Sequence, residues 1–152
     1  ELGESLKKDG ASFSEAAKKE LDILTTAVNE IIEITVEALA ENDLNKAEMI
    51  EPLEETIDDM VMVLKAKHTK RLKNGECSIT SGLIFMEALT YFERASDQCS
   101  STAILMLAQD NPDILLNHHE YLHNMHKNGG KKYREMRNAR IKQYVDPLKE
   151  IA

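Results

Sequence analysis

The sequence predicts an all-α protein: an antiparallel three-helix bundle with an additional C-terminal helical tail. Apolar residues recur at steps of three and four along most of the chain, the spacing that places them on one face of a helix. Asparagine and glycine residues interrupt this pattern where short turns between long helices would lie. No segment alternates convincingly between apolar and polar residues, the period of two that a half-buried strand requires.

The first long helix is predicted to begin at Ser12 or Ser14 and to end near residues 41–43. Ser12 and Glu15 have the spacing of a capping box, in which each side chain caps the backbone N–H of the other residue. An apolar stripe at helical spacing follows and would face a core. Its members are Ala17, Leu21, Leu24, Val28, Ile31, Thr35 and Leu39.

Two further long helices are predicted, one over residues 44–72 and one from Ser78 to about Ala108. An Asn-Gly pair at 74–75 separates them, because glycine readily adopts the left-handed backbone that ends a helix. Pro52 falls inside the second helix and should kink it or end a short first segment, since proline lacks the backbone N–H that a helix needs. Ser78 is a favoured N-cap for the third helix.

The end of the chain is predicted to form two shorter helices that pack on the bundle or extend from it. Pro112 should open the first of them, because proline is favoured at the first helical position. The Asn-Gly-Gly segment at 128–130 should end it. A basic helix follows from Lys131 and is expected to break near Pro147.

The chain of 152 residues divides into three predicted parts. Residues 1–11 are a polar lead-in from an upstream segment, residues 12–110 the three-helix bundle, and residues 111–152 the helical tail. Because the sequence opens with Glu1 rather than Met, we expect it to be a piece of a longer or processed protein.

Composition restricts the classes of partner. The formal net charge is -8, which argues against nucleic acid because phosphate binding needs a basic face. No apolar stretch approaches the roughly 20 residues needed to span a bilayer. Cys77 and Cys99 are predicted to be free thiols, which fits a reducing compartment.

Two acidic pairs at helical spacing are the strongest indication of a binding site. Glu54 and Asp58 lie four residues apart on the second predicted helix, and Glu93 and Asp97 on the third. This spacing puts both carboxylates of a pair on one helix face, where like charges repel. A cation between the oxygens would turn this repulsion into a net attraction, and hard cations prefer carboxylate ligands. The alternative is that they are solvated acids of an acidic surface.

Helix geometry refines this prediction. At 100° per residue, Glu54 and Asp58 fall beside the apolar stripe of their helix, whereas Glu55 and Asp59 point further out. The second pair falls at a similar edge of the third helix. Carboxylates at such a boundary can meet across the groove between two helices.

The segments around these acids resemble the PhoU family of phosphate-signalling proteins. The closer similarity is to the PhoU-like domain at the C-terminal end of bacterial sodium/phosphate cotransporters. The resemblance covers roughly residues 13–110 and rests on three stretches. They are Ile50-Glu51-Pro52-Leu53-Glu54-Glu55-Thr56-Ile57-Asp58, His68-x-x-Arg71-Leu72-Lys73-Asn74-Gly75-Glu76-Cys77-Ser78, and Phe92-Glu93-Arg94-Ala95-Ser96-Asp97-Gln98-Cys99-Ser100.

The resemblance implies a regulatory domain rather than an enzyme. Such a domain lies on the cytoplasmic side of the cell membrane, joined to the transmembrane transporter domain of the same polypeptide, and acts in the control of phosphate uptake. Two alternatives stay open: a free-standing PhoU-like signalling protein, and a purely structural bundle that mediates dimerisation through its helix faces.

The resemblance also implies a metal site. Its ligands would be Glu54, Asp58, Glu93 and Asp97, and its occupant a divalent or iron-type metal ion. Gln98 stands where the family often has His, which would weaken or alter that binding. Complete PhoU proteins contain two bundles and this chain has room for one, so a cluster that needs two would require a homodimer.

The histidines offer a rival motif. His119-Glu120-x-x-His123 matches the zinc-protease pattern H-E-x-x-H. Three fixed positions are easily met by chance, no predicted strand could align a peptide substrate, and Glu135 is only a speculative third ligand. An adventitious zinc or nickel site is therefore preferred over a metalloprotease. His68 is interpreted as a surface or turn-supporting residue.

A basic run in the tail stands against the acidic remainder of the chain. It could contact an anionic membrane surface or the acidic groove of a second copy. The simpler interpretation, which we prefer, is a solvated helix face. The run consists of Lys127, Lys131, Lys132, Arg134, Arg137, Arg140 and Lys142.

Overall fold

The computed structural model describes residues 13–151, and the regular structure in this range is entirely helical. Three long helices, α1 (Glu15–Glu41), α3 (Ile50–Lys73) and α4 (Ile79–Leu107), each pack against the other two. A short helix, α2 (Leu44–Ala47), joins α1 to α3. The predicted all-α three-helix bundle is thereby confirmed.

The tail is built from short helices. It comprises α5 (Asp113–Leu116), α6 (His118–Asn128), α7 (Lys131–Arg140), a π-helical turn (Ile141–Val145) and α8 (Asp146–Glu150). The helix α7, the π-helical turn and α8 lie along α3. The tail therefore packs on the bundle, the first of the two arrangements that the sequence allowed.

Polar caps fix the ends of the long helices. The Ser14 hydroxyl accepts a hydrogen bond from the Ala17 N–H at 3.1 Å, and α1 ends at Asn42, whose φ of 50° is left-handed. The Ser78 hydroxyl accepts from the Ser81 N–H, also at 3.1 Å. Each such cap contributes about 1 kcal/mol. The proposed partner Ser12 and the predicted lead-in 1–11 lie outside the described residues.

The second predicted helix is interrupted earlier than Pro52. Asp43 caps α2, and the chain turns at Glu48 and Met49 before α3 begins at Ile50. Pro52 thus lies in the first turn of α3, where a backbone N–H has no helical partner to lose. Of the two outcomes predicted at Pro52, the kink is absent for this reason, whereas a short first segment does end before it, at Ala47.

The tail also departs from prediction at two places. The fourth helix divides at Asn117 into α5 and α6. The last helix does not break at Pro147, which lies in the first turn of α8. The irregularity comes before it, in the π-helical turn of residues 141–145. A proline is tolerated in a first turn, and the π-helical turn ends two residues before Pro147.

The core runs the length of the bundle. Leu24, Ile31, Ile57, Leu64 and Leu89 are fully buried within it, and each contributes roughly 1.5–3 kcal/mol through removal of apolar surface from water. Three residues of the tail join the same core and anchor the end of the chain to it: Tyr144, Val145 and Leu148.

Two further sequence expectations concern the cysteines and the length of apolar segments. Cys77 and Cys99 are free thiols, as predicted. Within residues 13–151, each helix is too short or too polar to cross a lipid bilayer.

Candidate metal centre

Three of the four predicted ligands meet in the groove between α3 and α4. Glu54 and Asp58 lie one turn apart on α3, and Asp97 reaches them from α4. One carboxylate oxygen from each lies within 4.8 Å of the other two. The group is graded in exposure: Glu54 is buried, Asp58 is half-buried and Asp97 is exposed. An ion could therefore enter from the Asp97 side.

Glu93 stands apart from this group because it has a cation of its own. Its Oε2 accepts a hydrogen bond from Lys65 Nζ of α3 at 2.8 Å, and both side chains are 37% exposed. Glu93 still acts on the site through charge, since it is among the groups that raise the pKa of Asp58.

Two of the three carboxyl groups, those of Glu54 and Asp58, carry unmet hydrogen-bonding capacity. Glu54 is only 8% exposed, yet no hydrogen bond or ion pair joins it to another described residue. Asp58 Oδ1 is buried and also lacks a hydrogen-bond partner in the described range. Burying a polar group without compensation costs several kcal/mol unless something binds it. Two neighbouring carboxyl groups without hydrogen-bond partners therefore indicate a binding site for a cation.

The pKa values of Glu54 and Asp58 also show that a negative charge is disfavoured at this site. Burial, then the charges of Glu51, Asp58 and Asp97, raise the pKa of Glu54 to about 9. Burial and the neighbouring Asp97 and Glu93 raise the pKa of Asp58 to about 6. Each cause disfavours a negative charge at a point where several converge. A cation placed there would relieve the repulsion that raises both values.

The donor set fits a hard cation. All three groups offer carboxylate oxygen, the ligand type that Mg²⁺, Ca²⁺ and Mn²⁺ prefer, and no cysteine or histidine belongs to the group. A bound metal would supply a positive charge that joins α3 to α4. Because Glu54 holds a proton at neutral pH, binding a metal there must also release that proton.

A second row of acids on α3 faces the tail. The Glu55 carboxylate accepts hydrogen bonds from Tyr133 Oη at 2.7 Å and from Arg137 Nε at 3.0 Å. Arg137 also donates to Thr56 Oγ1 at 3.0 Å and to Asp59 Oδ2 at 2.6 Å. The expectation that Glu55 and Asp59 point away from the helices holds only for the three-helix bundle, because the tail covers them.

His126 extends this network. Its Nε2 lies 2.7 Å from Glu51 Oε1, and its Nδ1 lies 3.0 Å from Glu55 Oε1. Glu51 is buried and accepts a further hydrogen bond from the Ser100 hydroxyl at 2.6 Å. These contacts join residues about 75 positions apart, so helical periodicity gives no signal for them. The sequence offered only the excess of positive charge in the tail.

The basic run is therefore more than a solvated face. Besides Arg137, Arg140 Nη1 pairs with Glu30 of α1 at 2.5 Å, and Lys132 Nζ pairs with Glu48 at 2.6 Å. The preferred interpretation is wrong for Arg137 and Arg140, whose side chains are only 15% and 16% exposed. Whether the remaining cations contact a membrane or a second copy stays a prediction.

The zinc-protease motif gains no third ligand. His119 and His123 lie on the exposed face of α6. Glu135 pairs with Lys131 on α7 at 3.7 Å. Within residues 13–151, the three-carboxylate cluster alone brings three or more potential ligands together.

The middle PhoU-like stretch, residues 68–78, contributes contacts that hold the bundle together. His68 is 3% exposed and stacks on Phe85 with ring centroids 4.9 Å apart, so its interpretation as a surface residue was wrong. Arg71 donates two hydrogen bonds to the fully buried Glu20, at 2.9 and 2.8 Å. Lys67 pairs with the same carboxylate at 3.1 Å, so the two cations tie α3 to α1 and compensate the buried charge of Glu20.

Comparison with known proteins supports one family. No curated protein and no solved structure matches the chain. The family model of the PhoU domain matches residues 21–106, more than half of the chain. The matched range contains all four predicted ligands, the whole of α3 and most of α1 and α4. The chain therefore belongs to the PhoU domain family, which gives it a part in phosphate-related regulation and signalling.

Proposed function

We propose that this chain is the cytoplasmic regulatory domain of a sodium-dependent phosphate transporter and that it responds to metal. Glu54, Asp58 and Asp97 hold a divalent or iron-type cation, and Glu93 adds a fourth carboxylate once it leaves Lys65. The domain performs no catalysis. The transmembrane part of the same polypeptide is its partner.

One observation carries the metal-binding part of this proposal. Glu54 is nine-tenths buried, has no partner among the described residues, and faces two further carboxylates across the α3–α4 groove. A structural acid at that position would be expected to have a lysine or arginine beside it, as Glu20 has. The uncompensated group is better explained by a cation that the protein binds.

Regulation follows if the cation prefers one packing of the helices over another. A metal held by α3 and α4 together stabilises whichever arrangement keeps their carboxylates close. The transporter would sense that arrangement through the face that the bundle presents to it.

Metal content tests the site directly. The chain purified without a histidine tag should carry metal detectable by mass spectrometry, and Asp97→Asn should lose it. Asp110→Asn is a matched control, because Asp110 is exposed, lies beyond the end of α4 and does not belong to the cluster. Metal retained in Asp97→Asn but lost when His119 and His123 are replaced would show an adventitious histidine site instead.

The regulatory role requires the whole transporter. Replacing Glu54, Asp58, Glu93 and Asp97 together in the full-length protein should abolish normal control of phosphate uptake while leaving the transporter in the membrane. Normal control in that variant would contradict the proposal. The reading frame upstream of Glu1 distinguishes a transporter domain from a free-standing phosphate-signalling protein.

A structural dimerisation bundle is the second candidate, and one observation favours it. Ile32, Val36 and Leu39 form an exposed apolar stripe on α1, with exposures of 41%, 59% and 54%, so the expectation that Leu39 faces the core was wrong. On this hypothesis, the four acidic substitutions leave function intact and Val36→Glu dissociates a dimer in analytical ultracentrifugation.

A further inference from the structure

The two acidic rows of α3 are treated differently by the rest of the chain. Glu54 and Asp58 face α4 and meet no cation from the described residues. Glu55 and Asp59, each one position further along, are bridged by Arg137 of the tail. Cations that occupy two such adjacent rows must lie on neighbouring faces of the same two helical turns.

The tail holds its row through charge. Arg137 reaches Glu55 and Asp59 through separate nitrogens, at 3.0 and 2.6 Å, so its guanidinium bridges the two carboxylates with one charge-assisted hydrogen bond to each. His126 adds contacts of 2.7 and 3.0 Å to Glu51 and Glu55. A cation bound at Glu54 and Asp58 and the Arg137 guanidinium would both be attracted by the acidic residues of α3. Because the two positive charges repel each other, each would weaken the binding of the other.

Apolar packing beneath this part of the tail is modest, because Tyr121 and Leu122 of α6 are only partly buried against a small cluster around Ile104. α6 has no buried residue, and Tyr133 is the one buried residue of α7. A cavity of about 220 Å³ lies under the two helices, lined by Ile104 and Leu107 on the bundle side and by Leu122 and Met125 on the tail side. The ionic contacts therefore carry much of the docking of α6 and α7.

The remainder of the tail is anchored independently. Tyr144, Val145 and Leu148 are buried in the main core. Lys67 of α3 also donates to the Leu148 carbonyl at 2.8 Å. Loss of the Arg137 and His126 contacts would thus free α6 and the start of α7 while the end of the chain stays in place.

We propose that metal binding at Glu54, Asp58 and Asp97 and docking of α6–α7 through Arg137 and His126 oppose each other, so that the tail reports on occupancy of the site. This inference rests on the proposed function. A divalent cation repels the guanidinium and weakens docking, and the docked guanidinium lowers the affinity for the cation. The two effects are equal by thermodynamic linkage.

Hydrogen exchange tests the first direction. Addition of Mn²⁺ alone to the wild-type chain should speed backbone amide exchange in residues 118–137 by at least about fivefold, the small end of typical allosteric coupling. Exchange in α1 and α8 should not rise. Asp97→Asn, which removes a ligand, should show no Mn²⁺-dependent change in the tail.

Calorimetry tests the reverse direction. Arg137→Gln should bind Mn²⁺ roughly threefold to tenfold more tightly than wild type, since one nearby positive charge is removed. Arg134→Gln is the matched control, because Arg134 is exposed on the same helix and makes no ion pair in the described range; it should change the affinity less than about twofold. His126→Gln provides a second variant if Arg137→Gln fails to fold.

The outcomes separate the two proposals. Wild-type protein that binds no Mn²⁺ would overturn both. Protein that binds Mn²⁺ at the three carboxylates, but with unchanged or slower exchange in the tail and unchanged affinity in Arg137→Gln, would overturn the coupling alone. Faster exchange in the tail together with tighter binding by Arg137→Gln would support it.

Discussion

Among the described carboxyl groups, Glu54 has the surroundings that depart furthest from what an ionised carboxylate prefers. It is buried, it has no partner among the described residues, and four other carboxylates act on it. Without a metal, the folded protein accommodates Glu54 by keeping it protonated. That choice couples the stability of the fold to pH.

The first prediction concerns this coupling. The pKa of Glu54 rises from 4.5 to about 9 on folding, so the folded state binds a proton that the unfolded state has released. The free energy of unfolding of metal-free protein should therefore fall as pH rises from about 4.5 to 9, by at most about 1.4 kcal/mol per pH unit for one proton. Glu54→Gln should flatten this fall and stabilise the protein at pH 8.

Urea unfolding at several pH values in the presence of a chelator measures both effects. Glu33→Gln removes an exposed acid from α1 and serves as the control. A pH dependence in Glu54→Gln as steep as that of wild type would show that another group titrates in this range.

The second prediction concerns Lys65, which pairs with Glu93, the predicted ligand that lies outside the cluster. Lys65→Gln should release Glu93 and remove a positive charge beside the site, so Mn²⁺ should bind roughly threefold to tenfold more tightly. Lys70→Gln, an exposed lysine one and a half turns along α3, is the control for net charge. Calorimetry at pH 7.5 measures the affinities, and equal affinity in wild type and Lys65→Gln would exclude Glu93 as a ligand.

At the scale of the helices, the site depends on how closely α3 and α4 approach. Gly82 of α4 lies against His68 and Leu72 of α3, and a Cβ added there would come within 3.0 Å of His68 Nε2 and 3.1 Å of Leu72 Cδ2. The His68 ring is stacked on Phe85 and cannot move aside easily. The absent side chain therefore sets the spacing of the two helices that carry the carboxylates.

The third prediction follows from that spacing. Gly82→Ala should destabilise the protein by about 1–2 kcal/mol, because overpacking outweighs the helical preference of alanine. Gly130→Ala is the control, since a Cβ there meets nothing within 4 Å. Urea unfolding should show a loss for Gly82→Ala alone, and a stabilised Gly82→Ala would mean that the helices can separate without cost.

The helices show what can be predicted from sequence and what cannot. Periodicity and caps such as Ser14 and Ser78 are local signals, and the three long helices agree with them. Pro52 and Pro147 misled because proline in a first turn and proline inside a helix look alike until the helix start is known. Local sequence does not determine which of these two positions a proline occupies.

The candidate site likewise has residues that the sequence predicts and contacts that it does not. The i,i+4 spacing predicted Glu54 and Asp58, and the third helix supplied Asp97. It could not predict that Lys65 takes Glu93 or that Arg137 takes Glu55 and Asp59, because those pairs depend on the docking of whole helices. Charge pairing between distant segments has no periodicity to detect.

At the scale of the whole molecule, metal binding, proton release and stability form one equilibrium. The net charge of -8 favours cations in general, but the specific linkage comes from two carboxyl groups. At pH 7 Glu54, with a pKa of about 9, is protonated, whereas Asp58, with a pKa of about 6, is mostly ionised. A metal that binds both must displace about one proton.

The fourth prediction is that Mn²⁺ affinity rises by up to about tenfold per pH unit between pH 6.5 and 8.5, the slope expected for one released proton. Calorimetry in two buffers of different ionisation enthalpy should count that proton directly. Glu54→Gln has no proton to lose, so its weaker binding should be nearly independent of pH and buffer. Wild-type binding without proton release would mean that the metal does not reach Glu54, and the carboxylate that carries the proposed function would then need another role. Release of one proton, lost in Glu54→Gln, would place the cation in the α3–α4 groove.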